Sequence, residues 1–206
     1  ESGVGKATVA DLIHQSSPRS GAQIQRINCS TSSSDSINPL LFGTEDSEGH
    51  LTKSNNSTLV LEEVGKLPLS SQATLLHAIQ TGSIRPEGSQ KDVATTARLI
   101  ATSKTDLTQK VQDGLFHDDL FFRLNVMELA IPPLRERRED IMPLATAFIK
   151  DYTQGHARFA ATVTPCLDNY LWPGNIRELR NAMERATLMA HGGLILPKHL
   201  PTKIQA

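Results

Sequence analysis

ESGVGK, residues 1–6, opens the chain and matches the last six positions of a seven-residue G-x-x-x-x-G-K phosphate-binding loop. In such a loop, successive backbone N–H groups and the N-terminus of the following helix surround phosphates, and the lysine reaches the terminal ones. The residues expected to bind a nucleotide are therefore Ser2, Gly3, Val4, Gly5, Lys6 and Ala7. The first glycine of the motif would precede Glu1, so we expect the chain to be part of a longer protein. A flexible N-terminal remnant is the alternative that the loop alone leaves open.

A second signal is a short apolar run that ends in two acids, Leu59-Val60-Leu61-Glu62-Glu63. It is typical of a Walker B strand, in which the first acid organises Mg²⁺ and its waters and the second polarises the attacking water. We therefore predict Glu62 as the metal residue and Glu63 as the catalytic acid. Two details depart from the usual motif, because Ala7 replaces the Ser or Thr that helps hold magnesium and Glu62 is one methylene longer than Asp. A buried strand entering an acidic loop is the alternative.

Apolar periodicity divides the chain into two parts. The predicted strands are Ile24–Asn28, Thr58–Glu62, Ala97–Thr102 and Val126–Ile131. The predicted helices are Thr8–His14, Ser71–Thr81, Glu139–Asp151, Thr164–Leu171 and Asn175–His191. Alternation of strands and helices favours a parallel sheet flanked by helices, and the later helices follow one another with no strand between them. We predict an α/β nucleotide-binding subdomain over residues 1–133, whose first strand lies upstream, and a small all-helical lid subdomain over residues 134–206. Polar residues 30–36 and 43–57 are predicted loops.

The overall charge is nearly balanced, with 21 Lys and Arg against 22 Asp and Glu. A net charge of −1 gives no basic field that would draw the whole chain to nucleic acid or to an anionic membrane. The two cysteines, Cys29 and Cys166, are far apart and lack metal-ligand spacing, which suits a reducing cytoplasm. We expect a cytoplasmic protein with no membrane contact.

Three further segments carry a family resemblance. They are FHDDLFFRLNV (residues 116–126), PPLRERREDI (132–141) and WPGNIRELRN (172–181). In this order they resemble the central AAA+ domain of bacterial enhancer-binding proteins, the NtrC-type activators of sigma-54. The resemblance implies ATP or ADP with Mg²⁺, self-assembly into a ring of six or seven subunits, and work on RNA polymerase. It also implies promoter DNA binding through a separate C-terminal domain.

The resemblance also implies roles for individual residues. Asn28 resembles the switch asparagine that restrains the catalytic acid, and Thr102 resembles the sensor of the terminal phosphate. Arg177 resembles the second sensor on the lid. Arg123 resembles an arginine finger that acts on the nucleotide of a neighbouring subunit. Simpler readings stay open, namely a strand-end cap for Asn28, a sheet residue for Thr102 and surface ion pairs for the two arginines.

One departure from the family pattern concerns hydrolysis. The family's other finger is an arginine at the position of His117. A histidine has no forked guanidinium and is mostly neutral near pH 7, so it is a poor substitute. A finger is worth about 10³–10⁵ in rate, so its loss predicts weak or absent ATP hydrolysis.

A second departure concerns output. The family carries a G-A-F-T-G-A loop after its Leu-Phe-Gly motif, and that loop contacts sigma-54. After Leu41-Phe42-Gly43 this chain runs through residues 44–56 straight towards the Walker B strand, without the motif and without room for the loop. The leading interpretation is therefore a nucleotide-binding, self-assembling regulator domain that works without sigma-54.

Two other functions stay open. One is an active ring ATPase that drives transcription with Glu62, Glu63 and Arg123. The other is a non-catalytic receptor or oligomerisation module for another nucleotide, such as a cyclic dinucleotide, for which the sequence has no ligand-specific signature.

Overall fold

The computed structural model describes residues 1–30, 34–153 and 155–205. These fall into two compact units, one of residues 6–129 and one of residues 1–5 together with the chain from residue 130 onward. The predicted boundary between residues 133 and 134 stays a prediction. No helix in the described part of the chain is long and apolar enough to cross a membrane.

The first unit alternates strands and helices. Its elements are α1 (Lys6–Gln15), β1 (Gln25–Asn28), α2 (Ser34–Phe42), β2 (Gly43–Thr44), β3 (Ser47–Glu48), α3 (His50–Lys53), β4 (Thr58–Glu62), α4 (Leu69–Thr81), β5 (Ser83–Ile84), β6 (Val93–Ala94), β7 (Arg98–Ala101), α5 (Leu107–Gln112) and α6 (Asp118–Leu124). The main sheet is parallel, in the order β1-β4-β7. Strand β4 is central and buried on both faces, as its unbroken apolar run indicates.

Three of the four predicted strands are confirmed, and the fourth, Val126–Ile131, is wrong. An apolar run forms a strand only where a neighbour hydrogen-bonds to it, and neither outer strand of the described sheet, β1 or β7, pairs with this run. Val126 and Met127 instead keep 86% and 81% of their surface exposed. An apolar run without a neighbouring strand therefore does not form a strand here, although its apolar pattern predicted one.

The predicted loop over residues 43–57 is more ordered than expected. Strands β2 and β3 form a hairpin with a two-residue connection, and α3 follows with Leu51 buried. Gly49 makes this possible, because an added Cβ would lie 2.3 Å from the backbone nitrogen of Gly43. The other predicted loop, residues 30–36, lies partly outside the described residues, and from Ser34 onward it belongs to α2.

The second unit is a small helical lid. Its elements are α7 (Ile141–Thr153), β8 (Arg158–Phe159), α8 (Val163–Asn169), α9 (Asn175–Met189) and β9 (Leu194–Ile195), with short 3₁₀ turns at Leu134–Glu136, Arg138–Asp140, Pro197–His199 and Thr202–Ile204. The predicted helices are confirmed within a few residues of their ends. Strands β8 and β9 form a two-residue parallel pair that the sequence did not predict.

Trp172 lies at the centre of the lid core and is fully buried. Its indole Nε1 donates to the carbonyl of Leu167 at 2.8 Å, and its ring meets Tyr170 edge-on at 5.0 Å between centroids. The backbone of Trp172 adopts a left-handed φ of 50°, which is strained for a bulky residue. The turn is closed by the N–H of Asn175, which donates to the Trp172 carbonyl at 2.8 Å. Buried packing thus holds α8 and α9 at a fixed junction.

Candidate nucleotide-binding site

The carboxyl edge of the parallel sheet collects four of the predicted residues. Asn28 and Glu62 end β1 and β4 and stand opposite each other in the ladder. Glu63 follows directly, and Thr102 follows β7 with its N–H donating to the Leu61 carbonyl at 2.8 Å. The carboxyl ends of parallel strands meet at one edge, which is where ligands of open α/β sheets bind. The sheet therefore brings these four residues together, and their individual roles stay predictions.

Glu63 occupies a strained backbone position. Its φ and ψ of 54° and 44° lie in the left-handed region, which is uncommon for a residue other than glycine. Two backbone bonds hold it there, from Lys66 N–H to the Glu63 carbonyl at 2.8 Å and from Val64 N–H to the Thr102 carbonyl at 2.9 Å. The Glu63 carboxylate also accepts from the Lys104 N–H at 3.4 Å. The chain thus reverses abruptly where the predicted catalytic acid stands.

Asn28 closes the end of its strand. Its Oδ1 accepts both the N–H of Ser30 at 2.9 Å and the hydroxyl of Ser30 at 2.6 Å. This is the strand-end cap that the sequence left open as the simpler reading. The switch role of Asn28 stays a prediction.

Arg26 is a residue of this region that the sequence reasoning missed. Its Nη1 lies 3.3 Å from Oε1 of Glu62, and its Nη2 forms an ion pair with Asp11 on α1. The same Nη2 also lies 3.4 Å from the backbone carbonyl of Ala7. One sequence signal could have found Arg26. It lies two residues before Asn28, and alternate residues of a strand point to the same face, so the two side chains lie on the same side of the sheet.

The residues present do not fit magnesium in the way the motif predicts. Ala7 supplies no hydroxyl, and the Glu62 carboxylate is engaged with Arg26. The metal role of Glu62 stays a prediction, and its pairing with Arg26 argues against it.

The glycine loop of residues 1–5 packs on the first turn of α9, within the second unit. Gly3 has a φ of 76°, and an added Cβ would lie 2.4 Å from the Gly174 carbonyl, so only glycine fits. Its own carbonyl accepts the N–H of Ile176 at 3.0 Å. Arg177 donates from Nη1 to the hydroxyl of Ser2 at 3.0 Å. The structure therefore places the predicted second sensor, Arg177, beside the loop.

Glu1 ties the start of this loop to the lid, and the sequence reasoning assigned it no role. Arg135 donates to the two Glu1 carboxylate oxygens at 3.0 and 2.6 Å, and Asn175 donates to Oε2 at 3.0 Å. The hydrogen bond from Arg135, followed by that from Asn175, lowers the pKa of Glu1 to about 2. Arg137 adds a bond to the Val4 carbonyl at 2.7 Å. These partners lie more than a hundred residues away, so no local motif shows them.

The Glu1 contacts predict an acid-dependent loss of stability. A carboxyl whose folded pKa lies below its usual 4.5 stabilises the fold above that pH, and this contribution disappears as the pH falls towards about 2. In Glu1→Gln we expect a shallower loss of unfolding free energy across this window, measured by urea denaturation at a series of pH values. Glu139→Gln, an exposed acid of the lid, serves as the control. Equal slopes for Glu1→Gln and the wild type would contradict the prediction.

The two finger positions lie on and beside α6. Arg123 is in this helix, and its side chain is exposed. His117 precedes the helix, and its backbone N–H donates to Oε1 of Gln72 at 2.8 Å. Its ring Nε2 lies 3.2 Å from the Leu69 carbonyl, so this nitrogen carries the proton. His117 thus contacts two residues of α4, Gln72 and Leu69, whereas Arg123 is exposed to solvent.

Comparison with known proteins identifies the family. The sequence profile described as "Sigma-54 interaction domain" matches residues 1–130. The chain belongs to the sigma-54 interaction domain family. A second profile, "AAA+ ATPase lid domain", matches residues 135–206, which confirms the helical lid of this family member. The chain is thus a sigma-54-activator-type AAA+ domain of the kind found in bacterial transcriptional regulators.

Individual relatives agree with this assignment. The transcriptional regulatory protein ZraR of Klebsiella oxytoca is 39% identical over 99% of this chain and 49% of its own length. The regulatory protein AtoC of Escherichia coli is 37% identical over 100% of this chain and 47% of its own length. NtrX from Brucella abortus, solved in complex with ATP, superposes with a TM-score of 0.90 at 31% identity, covering 98% of this chain and 50% of that one. This chain therefore spans about half the length of these relatives.

Proposed function

We propose that this chain is the central ATP- and ADP-binding and self-assembly domain of a bacterial DNA-binding transcription regulator, and that it hydrolyses ATP weakly or not at all. The observation that carries the proposal is the glycine loop of residues 1–6, with Arg177 bonded to Ser2. NtrX from Brucella abortus, which shares the fold at 31% identity, has been solved with ATP and with ADP. Gly3, Gly5 and Lys6 would bind the phosphates, with Arg177 as the lid sensor.

Weak hydrolysis follows from the state of the catalytic positions. Glu63 would polarise the water and Thr102 would sense the terminal phosphate, since both stand at the carboxyl edge of the sheet. The metal-organising acid, however, is paired with Arg26, and Ala7 has no hydroxyl. His117 lacks the forked guanidinium of an arginine finger. The site therefore holds nucleotide better than it consumes it.

Loss of the sigma-54 contact is supported by the hairpin of β2 and β3. Its connection has only two residues, Glu45 and Asp46, and Glu45 N–H donates to the Glu87 carbonyl at 2.9 Å. The alignment with AtoC covers 218 positions although this chain has 206 residues, so at least 12 positions have no counterpart here. A short, anchored hairpin leaves no loop to project towards a partner.

The remaining partners follow from the family. Arg123 on the exposed face of α6 would act on nucleotide bound by a neighbouring subunit in a ring of six or seven. RNA polymerase would be contacted by a surface other than the sigma-54 loop, and promoter DNA by a separate C-terminal domain. Such a regulator would work in the cytoplasm.

The test is nucleotide binding and turnover by the full-length protein. We expect calorimetry to show ATP and ADP binding, and coupled-assay turnover below about 10⁻² s⁻¹ at every protein concentration. Because Ala7 and the Arg26 pairing stay in place, His117→Arg should raise turnover by no more than about tenfold, well short of the full value of a finger. His77→Arg, a substitution on the exposed part of α4, is the matched control.

The outcomes separate the candidate functions. Concentration-dependent turnover by the wild type, or a gain of about 10³ or more in His117→Arg, would establish the working ATPase instead. That alternative draws on the grouping of Asn28, Glu63 and Thr102 at one sheet edge. Failure to bind ATP or ADP would reject both readings, and a cyclic dinucleotide is then the ligand to titrate.

A further inference from the structure

The Arg26 guanidinium contacts the acid that the motif uses to organise magnesium. Its Nη1 lies 3.3 Å from Oε1 of Glu62. Its Nη2 lies 3.4 Å from the backbone carbonyl of Ala7, the residue that replaces the hydroxyl side chain of the motif. A cation of the chain itself is therefore already bound to the carboxylate that the motif assigns to magnesium.

Arg26 is held in this place from two sides. Strand β1 sets its backbone beside Val60 of β4, so its side chain shares a face with Glu62. Asp11 on α1 forms the second ion pair. The side chains of Arg26 and Glu62 are only 29% and 31% exposed, so this pair is less screened than one on an open surface. Its geometry is thus fixed by a strand and a helix together.

We propose that Arg26 takes the place of the magnesium ion, so that this domain binds the metal-free form of a nucleoside di- or triphosphate as well as the magnesium complex. The proposal rests on the proposed nucleotide-binding function. Without Arg26, the Glu62 carboxylate would repel the phosphates, and a divalent ion would be needed between the two negative groups. With Arg26, which is shared between Glu62 and Asp11, part of the charge of Glu62 is already balanced. Magnesium also demands near-ideal octahedral geometry and gives up its water reluctantly, so it competes poorly for a carboxylate that is already paired.

The test compares ATP and ADP binding by the full-length protein in excess MgCl₂ and in EDTA, using isothermal calorimetry. For the wild type we expect dissociation constants that agree within about threefold in the two conditions. For Arg26→Gln we expect a loss of about tenfold or more in EDTA, because one charge-assisted interaction is worth about that much, with recovery when magnesium is added. Arg98→Gln, on the neighbouring strand opposite the first residue of β4, should behave as the wild type.

Each possible result of this experiment either supports or overturns the proposed role of Arg26. Wild-type binding that tightens by more than about tenfold with magnesium would overturn the inference while leaving nucleotide binding intact. Arg26→Gln with wild-type constants in both conditions would also overturn it. If Arg26→Gln does not fold, Arg26→Lys, which keeps the charge, is expected to bind equally in both conditions, and a magnesium requirement there counts against Arg26. No binding in any condition would instead reject the proposed function itself.

Discussion

Lys6→Ala is expected to weaken ATP and ADP binding by about ten- to 150-fold. Lys6 begins α1 directly after the glycine loop, where the proposed function gives its ammonium the terminal phosphates. A hydrogen bond to a charged group is worth about 1.5–3 kcal/mol, which corresponds to that range of dissociation constants. Because ADP lacks the terminal phosphate, we expect the ATP constant to change more than the ADP constant. Calorimetry on the full-length protein measures both.

Lys91→Ala is the matched control for this experiment. Lys91 is an exposed lysine in the connection between β5 and β6, so its removal should leave both constants unchanged. Equal affinities of Lys6→Ala and the wild type for ATP would show that the loop does not bind phosphate. The same measurement would then remove the basis of the proposed function.

Trp172→Ala is expected to destabilise the lid by about 3–5 kcal/mol. The substitution empties the fully buried centre of this unit and removes the bond from Nε1 to the Leu167 carbonyl. It also removes the packing that holds residue 172 at its positive φ. Urea unfolding followed by far-UV circular dichroism suits this variant, because Trp172 is the only tryptophan and its fluorescence is lost with it.

The neighbouring residue provides the control. Leu171 is 61% exposed, so Leu171→Ala should change the unfolding free energy by less than about 0.5 kcal/mol. A loss below about 1 kcal/mol in Trp172→Ala would mean that the lid core tolerates the cavity, contrary to the packing described above.

Local patterns predicted much of this fold. The glycine loop, the acid-ended strand and the helical periodicities each depend on residues close together in the chain, and the structure confirms three strands and five helices where they were expected. The structure groups Asn28, Glu63 and Thr102 at one edge because parallel strands align their carboxyl ends, which the sequence analysis did not predict.

Features that depend on distant partners were beyond this reasoning. The spacing of Arg26 and Asn28 places the two on one face of β1, but the pairing of Arg26 with Glu62 also requires the order and register of β1 and β4, which the sequence does not reveal. The bonds from Arg135 to Glu1 join residues that are 134 positions apart in the chain. The prediction of a strand at 126–131 was wrong because a partner is lacking. The residues are apolar, but no described strand lies beside them.

The two-residue turn between β2 and β3 also bears on how the proposed differences from the sigma-54 activators could be reversed. A single nucleotide change converts a histidine codon to arginine, an alanine codon to serine or a glutamate codon to aspartate. Residues 117, 7 and 62 are therefore each one point mutation from the residue that the motif uses. The hairpin is different, because Gly49 packs against the Gly43 backbone and a projecting loop would need an insertion. The proposed loss of catalysis would thus be open to reversal by point mutations, whereas the proposed loss of the sigma-54 contact would not.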